Sequence, residues 1–85
     1  MKIIKFGAVW CPGCLVMRPV WKEVLIDYPN LDITEYDYDM DEEKIFKYNI
    51  GDKLPVMILL DEEGNELKRL IGEKSYNEIV DFLEV

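Results

Sequence analysis

Apolar residues recur along this chain in two rhythms, one near two residues and one near three and a half. From Lys2 to Val9 the residues Ile3, Ile4, Phe6 and Val9 load both alternating faces, which predicts a short central strand. The rhythm then lengthens. Val16, Val20 and Val24, with Met17, Trp21, Leu25 and Tyr28, form a stripe at helical spacing. Pro12 falls in the first turn of that helix, where a missing N–H costs nothing, and Pro29-Asn30 ends it. Pro19 lies inside it and is expected to kink it.

Leu31 to Tyr38 alternates apolar and polar positions and predicts a second strand. Asp39 with Glu42 is read as the capping pair of a short acidic helix reaching Tyr48. Leu54 to Leu60 is a third, buried strand with Pro55 at its start, one of the few strand positions that tolerate proline. Asp61 to Asn65 makes a turn, so Glu66 to Ile71 folds back as a hairpin, and Gly72 ends that strand. Ile79, Val80, Phe82 and Leu83 mark a last amphipathic helix, capped by Ser75 with Glu78. The order is βαβαββα. A right-handed crossover makes the first two strands parallel neighbours, and the hairpin adds antiparallel ones.

Eighty-five residues, 49% of them hydrophobic, suit a single α/β domain over residues 1–85. Eighteen acidic residues against 10 basic ones leave a net charge of −8, which argues against nucleic acid and anionic membrane surfaces as partners. It favours steering toward basic protein surfaces. No apolar run approaches the roughly 20 residues of a membrane span. The apolar start breaks at Lys5 without a small-residue cleavage site, so a cytoplasmic location is expected. There a CxxC pair is more often catalytic or metal-binding than structural.

The two cysteines stand in Trp10-Cys11-Pro12-Gly13-Cys14, between the first strand and the first helix. A strand that ends on an exposed dithiol and feeds a helix is suited to making and breaking a disulfide. Amides and the dipole at a helix N-terminus favour the thiolate of the first cysteine, and the thiolate is the attacking species in exchange. With two cysteines and no histidine, one chain cannot complete a zinc site, and no metal or other cofactor is expected beyond the Cys11–Cys14 disulfide. Asp37, Asp39 and Asp41 imitate the opening of a calcium loop, but Glu42 and Tyr48 occupy the positions of its glycine and its bidentate glutamate.

This order and these motifs resemble the thioredoxin family over nearly the whole chain. The tryptophan-led CxxC, the helix proline Pro19, the Leu54-Pro55 step that is cis in the family, the hairpin glycine Gly64 and Gly72 before the last helix all match. The resemblance implies the thioredoxin fold, a four-stranded mixed sheet flanked by three helices. It implies a thiol–disulfide oxidoreductase in which Cys11 attacks a protein disulfide and Cys14 resolves the mixed disulfide. Trp10, Pro12, Gly13, Leu54, Pro55 and Gly72 would shape the site and meet substrate, with the Leu54 backbone pairing with it. A thioredoxin-reductase-type donor would return the electrons in cell redox homeostasis, and a monomer is expected. The chain begins on the active-site strand, without the leading strand and helix of full-length members.

Two departures stand out. The dipeptide between the cysteines is Pro-Gly, the reverse of the usual order. Lys5 stands six residues before Cys11, where the family usually buries an aspartate, and Glu35 aligns with the family's partner lysine. An inverted pair on adjacent parallel strands beneath Cys14 would favour thiolates through Lys5 and relay a proton through Glu35. The plainer reading has Lys5 snorkelling its amine to the sheet edge. Two rival functions follow from the same residues: a glutaredoxin-like enzyme using glutathione, and a redox-inactive binding module that keeps the fold.

Overall fold

Two apolar faces on one central strand require cover on both sides, and the chain supplies it with helices on either face of one sheet. The computed structural model describes residues 2–83. Met1, Glu84 and Val85, the ends of the single domain expected over 1–85, lie outside the described residues. The order is β1 (Lys2–Gly7), α1 (Pro12–Asp27), β2 (Asp32–Asp37), α2 (Glu42–Lys47), β3 (Val56–Leu60), β4 (Glu66–Ile71) and α3 (Tyr76–Leu83). The sheet order is β2-β1-β3-β4, with β1 parallel to β2 and antiparallel to β3, and β3 antiparallel to β4. This is the mixed βαβαββα sheet expected from the sequence.

Alternation along β1 and β3 divides the interior in two. Ile3, Met57 and Leu59 meet Met17, Trp21 and Val24 of α1 and Ile79 and Phe82 of α3. Ile4, Phe6, Val56, Ile58 and Leu60 point the other way, toward Tyr36, Ile45, Tyr48 and Ile50. All five β3 residues are buried, as a strand covered on both faces requires.

Several boundaries differ from the sequence reading. β1 stops at Gly7, and Val9 is 81% exposed in the turn beyond it. The α1 stripe is narrower than expected. Val16 and Leu25, roughly 80–100° from Met17 at 100° per residue, face outward. The helix nevertheless runs on through Pro19. β2 and β3 are trimmed to Asp32–Asp37 and Val56–Leu60, leaving Leu54 and Pro55 in the approach to β3. α2 ends at Lys47, with Tyr48 as its C-cap.

Asp39 does not cap α2; the N-cap is Asp41, whose side chain makes no capping bond. Its carboxylate instead accepts from the Asp37 amide at 2.7 Å, while Asp37 accepts from the amides of Asp39 and Met40. The acids are spent in winding this loop. The other two local predictions match the observed bonds. Asp61 accepts from the Glu63 and Asn65 amides in the hairpin turn, where Gly64 has φ +87°. Ser75 Oγ accepts from the Glu78 amide while Glu78 accepts from the Ser75 amide, a reciprocal capping box before α3.

Candidate active site

The dithiol sits where β1 hands over to α1. Cys11 has an extended backbone (φ −87°, ψ 112°) and is the N-cap of α1, with Pro12 at the first helical position. Its amide donates to the Ala8 carbonyl at 3.2 Å, and its Sγ accepts from the Cys14 amide at 3.2 Å. A sulfur accepting a helix-terminal amide sits in the field that favours negative charge. Neither cysteine is bridged.

The dithiol is not exposed as the sequence suggested. Cys11 is only 4% exposed and Cys14 is half-buried. The reason is the cap: to reach the Cys14 amide the Cys11 side chain folds back over the helix start instead of pointing to solvent. Burial, reinforced by the hydrogen bond and charge of Cys11, pushes the Cys14 thiol up to about 11, while the Ala8 backbone and the Lys5 charge pull it down.

Lys5 and Gly7 lie on one face of β1 and lead toward Cys14. A Cβ on Gly7 would stand 3.2 Å from Cys14 Sγ, so a side chain here would fit only if Cys14 gave way by a few tenths of an ångström. Lys5 pairs in register with Glu35 of β2, and its Nζ lies 2.7 Å from Glu35 Oε1. The same ammonium lies 4.5 Å from the centre of the Trp21 ring. Lys5, Glu35, Gly7 and Cys14 line one open cavity of about 350 Å³. The amine is thus held between a carboxylate and an aromatic face, while Glu35 remains largely exposed.

Around the rim, Trp10 is 54% exposed. Its indole donates to Asp39 at 2.7 Å and meets the Tyr38 ring edge-on at 5.9 Å. The Tyr38 amide donates to the Gly7 carbonyl, which ties the loop after β2 to the end of β1. The Leu54–Pro55 bond is cis. The Pro55 carbonyl accepts from the amide of Gly72, whose φ of +91° suits glycine. Pro55 approaches Gly13 closely enough that a Cβ on Gly13 would lie 3.2 Å from Pro55 Cδ. Gly13, Pro55 and Gly72 therefore meet beside the CxxC turn, with Pro55 lining the same cavity as Cys14, while Trp10 is held on the Asp39 side. Leu54 packs against the core on the α2 side.

Sequence reasoning missed three participants. Gly7 touches Cys14, Asp39 holds Trp10, and Glu73 lies against Gly13. Only Gly7 carried a local signal, as a glycine ending an apolar strand beside a CxxC. Among the described residues no helix is long and apolar enough to cross a membrane, and no group of three or more His, Cys, Asp or Glu is placed to hold a metal ion.

The thioredoxin family model matches residues 1–85. A thioredoxin of Chlamydia trachomatis is 27% identical over 78 residues, 92% of this chain and 74% of that protein. A bifunctional thioredoxin reductase/thioredoxin of Mycobacterium leprae is 30% identical over 73 residues, 85% of this chain but 16% of that much longer protein. Among solved structures, reduced Schistosoma mansoni thioredoxin pre-protein superposes with a TM-score of 0.84 at 28% identity, covering 98% of this chain and 75% of the other.

Proposed function

The chain belongs to the thioredoxin family and is a thiol–disulfide oxidoreductase, and from that premise we propose that it reduces protein disulfides as a dithiol electron carrier. The observation that carries this reading is the cap geometry, a Cys11 sulfur accepting a helix-terminal amide while burial holds Cys14 as a thiol. Cys11 attacks as the thiolate. Its sulfur bonds to one sulfur of the substrate disulfide, the substrate S–S bond breaks, and the departing thiolate takes a proton from water. Cys14 then loses its proton and attacks Cys11. The mixed disulfide breaks, the second substrate thiolate leaves and is protonated, and Cys11–Cys14 is closed. Two electrons and two protons have passed to the substrate, and a thioredoxin-reductase-type donor restores the dithiol with two electrons.

Cys14 is the barrier, because a thiol held near 11 is scarcely ionised at neutrality. Lys5 lowers that barrier through its charge, and Glu35, largely exposed and bonded to Lys5, relays the departing proton to water. Trp10 and Pro55 give the incoming chain apolar contact, the Leu54 backbone pairs with it, and Pro12, Gly13 and Gly72 shape the turn it meets. The site works as a monomer, without a further cofactor, in a cytoplasm that keeps thiols reduced.

The test is trapping. In Cys14→Ser the mixed disulfide formed when Cys11 attacks disulfide-bonded insulin or a peptide disulfide is expected to accumulate on Cys11, seen by mass spectrometry. Cys11→Ser is expected to lose insulin reduction to the uncatalysed background. Adducts forming on Cys14 in Cys11→Ser at the wild-type rate would reverse the assigned roles.

A further inference from the structure

The loop between β4 and α3 brings a carboxylate to the CxxC turn, and the exchange chemistry does not use it. This loop is pinned on both sides of Glu73. The Gly72 amide donates to the Pro55 carbonyl at 2.8 Å, and the Lys74 amide points at Met17 Sδ at 3.3 Å. Between these anchors Glu73 lies across the notch left by Gly13. A Cβ on Gly13 would stand 3.2 Å from Glu73 Cγ and 3.3 Å from Glu73 Oε1. The Pro-Gly order of the dipeptide has a physical consequence here, since any side chain or proline ring at position 13 would compete with Glu73 for this space.

The carboxylate is exposed, and neither of the two ion pairs among the described residues, Lys5–Glu35 and Arg69–Glu66, involves it. Its charge is available to whatever docks on the dithiol. We propose that Glu73 is a specificity-determining residue, which pairs with a lysine or arginine flanking the target cysteine of the substrate. The inference rests on the reading that Cys11 exchanges with protein disulfides. It adds which disulfides are favoured: those in basic surroundings, with acidic flanks disfavoured by like charge. The chain's net charge of −8 attracts such partners from a distance, and Glu73 reads them at contact.

The experiment uses the full chain, reduced beforehand, and follows oxidation of Cys11–Cys14 by tryptophan fluorescence in stopped flow. The substrates are short peptide disulfides with arginine, alanine or glutamate one or two residues either side of the cysteine. At low salt the arginine peptide is expected to react about fivefold faster than the glutamate peptide in at least one register, about 1 kcal/mol at 1.4 kcal/mol per tenfold. The ratio should shrink at high salt, fall toward one in Glu73→Gln and invert in Glu73→Lys. Glu63→Gln, the same charge change at the far hairpin turn, should keep it. A wild-type ratio below twofold in every register, a ratio that survives Glu73→Gln, or equal losses in Glu73→Gln and Glu63→Gln would overturn the assignment. Failure of the alanine peptide to oxidise the dithiol at all would instead overturn the redox reading beneath it.

Discussion

β1 carries two unlike faces within six residues. Toward α2 it presents Ile4 and Phe6, both buried, with Phe6 packed among the rings of Tyr36 and Tyr48 at 5.5 and 5.9 Å. Toward α1 it presents Ile3, then Lys5, then Gly7, losing apolarity and then bulk with each step toward the dithiol. The concessions that thiol chemistry asks for are confined to one side of a strand that hydrogen-bonds to neighbours on both edges. The other side is left free to anchor it. A charged amine and a missing side chain are tolerable in the middle of this sheet because the opposite face makes no such concession.

The sharpest way to break that contrast is Phe6→Ala. Removing a fully buried aromatic ring should cost about 3–5 kcal/mol in urea denaturation. The exchange rate of the molecules that remain folded should change little, because the Phe6 ring packs in the α2-side cluster, against Tyr36 and Tyr48. A cost under about 1 kcal/mol would mean that the two faces are equally forgiving.

Gly7→Ala probes the other face with a smaller change. The added methyl would press on Cys14 Sγ at 3.2 Å, and overpacking of this kind costs about 1–3 kcal/mol. Unlike Phe6→Ala, it should also slow closure of the Cys11–Cys14 disulfide in rapid-quench alkylation. Normal closure with normal stability would show that the approach of Gly7 to Cys14 is of no consequence.

Lys5→Met should move stability least, by less than about 1 kcal/mol, and chemistry more. Lys5 holds Cys14 below the level burial alone would set, so its removal should raise the thiol beyond about 11 and slow the resolving step at a given pH. The sign follows from the direction of the shift. Cys14 is raised from 9.0, so the fold favours the protonated thiol; its contribution to stability is full below pH 9 and fades as pH climbs toward 11. In Lys5→Met that window should move upward, visible in ultraviolet thiolate absorbance and in alkaline melting. An unmoved Cys14 titration with unchanged turnover would return Lys5 to a merely structural part.

Much of the fold was legible along the chain where the deciding contacts are a few residues apart. The hairpin turn rests on Asp61 reaching the amides of Glu63 and Asn65, and α3 starts on the reciprocal pair Ser75 and Glu78. The α2 start was misread for the same kind of reason. Asp39 looks like a cap, but its carboxylate goes to Trp10, 29 residues earlier. The Lys5–Glu35 pair was reached through the family resemblance and not through periodicity, which is blind to register between strands.

What the sequence by itself determined is therefore the element order and a dithiol at a strand-to-helix junction, because alternation, turn chemistry and the CxxC spacing act over short stretches of chain. Only the tertiary structure decided that Cys11 turns inward to cap its helix, that Lys5 faces Trp21 as well as Glu35, and that Glu73 comes to rest on Gly13 sixty residues away. Such meetings depend on strand register and on which loop is pinned to which helix, and these are set only when the whole core packs at once.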